Sequence, residues 1–155
     1  MDHDIELVDV PPQHVAVVRA DVDVGEFPGF LGGAFEEVMT VLAQQGLDPT
    51  GPPLGRYVPV AAGRFRVEAG FPAARPVTAS GRVVPAELPG GTVARCLHRG
   101  PYEEVAAVYR AVTDWVEDHG LTVSGPPWEC YLDEPDVPQP RTEVLVPCAA
   151  AEPAG

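Results

Sequence analysis

The run GLTVSGPPWECYL, from Gly120 to Leu132, echoes an earlier run, GLDPTGPPLGRYV, from Gly46 to Val58. Within this run the offset is constant, 120 − 46 = 74, so Gly125 answers Gly51 and Tyr131 answers Tyr57. Downstream, RVEAGFP from Arg66 to Pro72 matches RTEVLVP from Arg141 to Pro147, which sets Glu68 against Glu143. Upstream, Val10-Pro11 answers Leu88-Pro89, each ahead of a β-rich run. Two copies, roughly 4–72 and 81–148, are too few for a solenoid array. They imply a single domain over residues 1–155 with an internal pseudo-two-fold repeat. The copies differ where it matters chemically: Glu129 stands in the second where the first has Gly55. A shared frame would then carry a one-sided site.

Each copy has the same order of elements. In the first, strands are expected at Ile5–Val10 and Val15–Ala20, with a polar connection over Asp21–Glu26. Pro28 suits the first turn of a helix, where its missing N–H costs nothing. Leu31, Phe35, Val38 and Leu42 follow at helical spacing until Gly46, while Gly32-Gly33 points to a later start. Strands Leu54–Val60 and Arg64–Phe71 close the copy, and Ala73–Ser80 links the halves. In the second copy, strands are expected at Val83–Leu88 and Thr92–His98, around a turn at Pro89-Gly90-Gly91. A helix from near Pro101 carries Val105, Tyr109, Val112 and Val116 on one face and stops at Gly120. Strands Trp128–Asp133 and Glu143–Pro147 flank a proline-rich loop over 135–140. Two strand-strand-helix-strand-strand units give an α+β fold: an antiparallel eight-stranded sheet, two helices on one face, and a central ligand groove.

Side chains alternate across a strand, so Thr142, Val144 and Val146 share a face with no acid on it. Val67, Ala69 and Phe71 are their counterparts, and this is the face expected under the helices. Glu143 and Glu68 point the other way. Glu129 and Tyr131 share a face opposite Trp128, Cys130 and Leu132, and alternation does not say which of the two faces the groove.

The formal net charge is −13, from 10 basic and 23 acidic residues. A nucleic-acid partner needs a basic face, so none is expected, whereas cations are drawn to such a chain. The three cysteines, Cys96, Cys130 and Cys148, show no CxxC spacing and read as reduced residues of a cytoplasmic protein. No signal peptide is expected, and no apolar run approaches the length of a membrane span. His3, His14, His98 and His119 show no metal-ligand spacing. Neither a phosphate loop nor a serine-nucleophile motif is present. No metal and no cofactor are expected; the spacing says nothing of oligomeric state.

Four stretches in order carry a resemblance: Phe71-Pro72, HRGPYEE from His98 to Glu104, GPPWECYL from Gly125 to Leu132, and RTEVLVP from Arg141 to Pro147. Together they resemble the GyrI-like small-molecule-binding domain, the effector-binding half of multidrug-sensing bacterial transcription regulators. The resemblance spans nearly the whole chain and implies a duplicated fold with a ligand pocket between its halves. It implies that Glu129, in an aromatic pocket, meets the charge of lipophilic cations, that Glu143 is a second acid, and that Tyr102 opens the second helix. The chain is expected to lack the DNA-binding segment of such regulators and to act as a stand-alone domain.

The residues alone make a similar case for Glu129. A carboxylate among apolar groups is costly unless paired or protonated, and a delocalised cation would relieve that cost. Aromatic faces would add cation–π attraction. The candidate ligand-binding set is Glu129, Glu143, Tyr102, Tyr131, Trp128, Tyr57, Trp115, Tyr109 and Phe30, with Phe27 nearby. Against it stand ordinary readings: Glu129 as a solvated strand residue, Glu68 and Glu143 as partners of a neighbouring arginine, Trp115 and Tyr109 as helix core, His98 as structural. Three functions follow. The first is a binding protein for lipophilic, mostly cationic aromatic compounds, with a role in drug sequestration. The second, implied by the resemblance, is a hydrolase that opens cyclopropane rings of DNA-alkylating compounds, with Glu129 and Glu143 as its acids. The third, also implied by the resemblance, is an interaction protein that modulates DNA gyrase.

Overall fold

The structure, a computed structural model, describes residues 4–100, 104–133 and 137–150. It is an α+β fold. The described residues form β1 (Ile5–Val10), β2 (Gln13–Asp23), α1 (Phe27–Gln44), β3 (Leu54–Ala61), β4 (Arg64–Ala73), β5 (Val83–Leu88), β6 (Gly91–Arg99), α2 (Val105–Asp118), β7 (Leu121–Val123), β8 (Trp128–Tyr131) and β9 (Arg141–Ala150). Among them β1 with β6, β2 with β4, β2 with β5, β3 with β4, β6 with β9, β7 with β9 and β8 with β9 pair antiparallel. The chain divides into two compact units, Pro11–Gly90 and Met1–Val10 with Gly91–Gly155.

In the Pro11–Gly90 unit the strands run in the order β3-β4-β2-β5. Helix α1 covers one face of them. Its Ala34, Val38, Val41 and Leu42 recur at helical spacing and pack on Ala16, Val18, Val67, Ala69 and Val83. Phe35 of α1 meets Phe71 edge to face, with ring centroids 5.7 Å apart. The face carrying Val67, Ala69 and Phe71 is thus the helix-covered one, as alternation implies. On the opposite face Glu68 is held by Arg19, at 2.6 and 3.0 Å, and by Arg56 at 3.6 Å.

In the other unit the order is β1-β6-β9-β8, with β7 paired to the far end of β9. Val105, Val108, Val112 and Val116 of α2 pack on Ala94, Cys96, Val144, Val146 and Cys148. Thr142 and Val144 again lie on the helix side. Glu143 lies on the other side, 4.0 Å from Arg95, so both repeated glutamates sit beside an arginine. The cysteines are all unpaired as thiols, and burial pushes Cys96 up to about 11 and Cys130 up to about 12.

Several expectations need correction. The eight expected strands are present, and among the described residues a ninth, Leu121–Val123, pairs with β9; it is too short and too exposed to leave a pattern in the sequence. Helix α1 starts at Phe27 despite Gly32-Gly33, since Pro28 sits in its first turn and the apolar face downstream outweighs two weak residues. Strand β2 runs on to Asp23 through the stretch read as a polar connection. Asp21 and Asp23 there pair with Arg66 and Arg64 on β4, each at 3.0 Å. The expected stops hold: Gly46 and Gly120 follow the helices at φ 68° and 72°, a region favouring glycine. The proposed helix opening at Pro101, Tyr102 and residues 134–136 of the proline-rich loop lie outside the described residues. Among the described residues no helix is long and apolar enough to cross a membrane.

Candidate functional site

Strand register decides which way Glu129 points. Glu129 pairs with Val144 and Tyr131 pairs with Thr142. Directly opposed residues in an antiparallel pair project to the same side. Val144 lies under α2, so Glu129 and Tyr131 project to the helix side as well. There α2 supplies Tyr109, which lies one residue beyond the fully buried Val108 and so borders the apolar stripe.

The three side chains form one cluster. The Tyr109 hydroxyl donates to Glu129 Oε2 at 2.6 Å, and the Tyr131 hydroxyl donates to Oε1 at 3.0 Å. Each carboxylate oxygen therefore has a phenolic donor. Among the described residues no basic side chain pairs with Glu129. Burial pushes its carboxyl above the ordinary value, while the two tyrosine hydroxyls pull the other way. Burial dominates because a phenol's dipole replaces only part of the lost hydration. Removing the Tyr109 hydroxyl removes one charge-assisted bond, so Tyr109→Phe is expected to raise the Glu129 pKa further and to cost about 1.5–3 kcal/mol of stability where the acid is ionised. Carboxyl NMR titration with thermal unfolding measures both, and an unaltered titration would show that the Tyr109 bond is not made in solution.

The remaining candidates lie elsewhere. Trp128 is on the other side of β8, 3% exposed, opposite Leu145. Glu143 is also on that side, opposite Leu97 and Cys130. It lines a cavity of about 480 Å³ with Asp4, Glu6, Arg95, Leu97 and Trp115. Trp115 stacks on His119, with ring centroids 3.8 Å apart. Glu129 and Glu143 thus project to opposite sides of the strands, and the arrangement does not bring both acids to one water. Tyr57 and Phe30 belong to the core of the Pro11–Gly90 unit, where Tyr57 lies 5.3 Å from Phe27, centroid to centroid. Tyr102 lies outside the described residues.

The repeat offset holds a signal that the reading of single motifs missed. Subtracting 74 takes Tyr109 to Phe35, as it takes Glu129 to Gly55. The acid and one of its phenolic donors are therefore absent together from the first copy. Two half-buried side chains that hydrogen-bond as a pair would have placed Tyr109 beside Glu129 from the sequence. His98 and Thr142 were not tied to Glu129 by any motif. Both are buried on this same side, opposite each other on β6 and β9.

Comparison with known proteins bears on the family and the fold. The family model described as a GyrI-like small molecule binding domain matches residues 3–149. No curated protein matches the chain. Among solved structures, the EcmrR C-terminal domain superposes with a TM-score of 0.84 at 21% identity, over 97% of this chain and all of that one. EcmrR in its DNA complex gives 0.84 at 22% identity, over 96% of this chain. The present chain spans 58% of that EcmrR chain. SAV2435 bound to tetraphenylphosphonium gives 0.67 at 15% identity, covering 96% of this chain and 94% of that one. A hydrolase from Listeria innocua gives 0.66 at 14%, covering 94% and 91%. At these identities the likeness is one of fold.

Proposed function

Because the chain belongs to the family of GyrI-like small-molecule-binding domains, we propose that it takes up lipophilic, mostly cationic aromatic compounds and that Glu129 meets their positive charge. The observation that carries this reading is an acid set on the helix side of β8, held by two phenols and, among the described residues, by no cation. Such a carboxylate has given up hydration without gaining a counter-ion. A large cation with little hydration of its own supplies that counter-ion at small desolvation cost. The rings of Tyr109 and Tyr131 add cation–π attraction of about 0.5–2 kcal/mol. Tetraphenylphosphonium, the ligand of SAV2435, is a cation of this kind. The net charge of −13 draws cations toward the chain in general, while Glu129 gives the attraction a place.

Titration of crystal violet against wild type and Glu129→Gln tests the reading. The glutamine keeps the shape and removes the charge. Its dissociation constant is expected to rise about tenfold, equivalent to about 1.4 kcal/mol. Equal affinities would remove Glu129 from the binding site.

A further inference from the structure

The helix-facing side of β9 holds a polar atom to which the ligand reading gives no role. Thr142 is 0% exposed, and its Oγ1 has no hydrogen-bond partner among the described residues. A buried hydroxyl in that state costs free energy that a valine of the same shape would avoid. Its neighbours are specific. Thr142 lies opposite His98 on one side and opposite Tyr131 on the other. Glu129 lies opposite Val144, so Thr142 and Glu129 are diagonal neighbours on adjacent strands. Diagonal side chains of an antiparallel pair stand about 7–8 Å apart.

We propose that Thr142 is a second polar contact of the Glu129 site, and that the preferred ligands carry a neutral ether, carbonyl, hydroxyl or amide group about 7–8 Å from their positive charge. This rests on the reading of Glu129 as the cation-binding acid and narrows the ligand class. A threonine hydroxyl both donates and accepts, so it serves any of these groups. A second charge is disfavoured there, because Thr142 is buried beside the apolar packing of Val144 and Val146. Tyr131 links the two contacts: it lies opposite Thr142, and its hydroxyl is on Glu129 Oε1. A cation at Glu129 competes for that oxygen, and displacement of the half-buried Tyr131 ring opens the way to Thr142.

The test uses Thr142→Val, Thr142→Ser and two dyes. In crystal violet every nitrogen shares the charge; rhodamine 6G adds ester and ring oxygens. In Thr142→Val, crystal violet is expected to bind within about twofold of wild type, and rhodamine 6G about fivefold more weakly. Thr142→Ser keeps the hydroxyl and is expected to bind both dyes as wild type does. Thr142→Val is also expected to melt at or above the wild-type temperature, since the unsatisfied hydroxyl is gone. Undiminished rhodamine 6G binding in Thr142→Val, with both dyes weakened by Glu129→Gln, would overturn this inference and leave the cation reading standing. Undiminished binding of both dyes in Glu129→Gln would overturn the cation reading itself. A Thr142→Val protein that melts several degrees below wild type would show that the hydroxyl is satisfied after all, against the inference.

Discussion

Affinity for crystal violet is expected to climb by up to tenfold per pH unit as pH rises through the acid range, and then to level off. The inflection should lie above the range of ordinary carboxylates, because burial raises the Glu129 pKa. The sign follows from the charge. Below that pKa the acid is protonated, and a cation must expel the proton to gain its counter-ion. Above it the carboxylate is already ionised, and binding loses its pH dependence. Stability moves the opposite way. The raised pKa means that Glu129 favours the folded state fully at pH values below its unfolded pKa. That contribution is lost as pH rises through the folded pKa. In Glu129→Gln both effects are expected to disappear: binding is weaker and flat with pH, and neutral-pH stability relative to wild type improves. Dye titrations and thermal unfolding across pH 4–8, about four units, measure the two slopes. A wild-type affinity that is flat across the range would mean that Glu129 does not titrate in the site.

Gly70→Ala is expected to abolish or severely lower stability, by more than about 3 kcal/mol. Gly70 is on β4, between Val17 of β2 and Leu54 of β3. A Cβ built there would stand 1.8 Å from the Ala16 carbonyl oxygen and 2.9 Å from the Val17 Cα. Those are backbone atoms of a paired strand, so no flexible side chain can move aside. The alternative is to break the β2–β4 ladder that carries the core of the Pro11–Gly90 unit. Gly33→Ala is the matching control. Gly33 is in α1 with open space around it, and alanine there is expected to stabilise by about 0.5–1 kcal/mol. Soluble yield and circular-dichroism melts compare the two. A Gly70→Ala protein that melts like wild type would mean that β2 and β4 are not packed as described.

The site was partly legible in advance. Glu129 could be singled out because a repeat makes every departure from itself visible, and Gly55 is such a departure. That Glu129 and Tyr131 share a face follows from alternation. Tyr109 appeared as one of several helix aromatics, and the tie to Glu129 needed the offset to be carried into the helix, where Phe35 answers it. Glu143 looked equivalent to Glu129 in chemistry, yet parity along β9 sends it to the opposite side, beside Arg95. Thr142 carried no signal at all, since nothing in a threonine's identity says that its hydroxyl will be left without a partner among the described residues.

The sequence by itself determined the α+β class, the repeated order of elements, the helix stops at Gly46 and Gly120, and the apolar faces of β4 and β9. These follow from local rules: periodicity, turn chemistry and side-chain alternation act within a few residues. Tertiary structure alone decided the pairing partners. The first strand of each copy joins the second strand of the other: β1 pairs with β6, and β5 pairs with β2. It also decided that Glu129 faces α2, because that depends on the β8–β9 register and not on the strand's own pattern. Gly70 shows the same division, since the repeat sets it against Leu145 and only the close approach of β2 excludes a side chain there. Pairing, register and close approach are contacts between residues far apart in the chain, and no short window of sequence holds them.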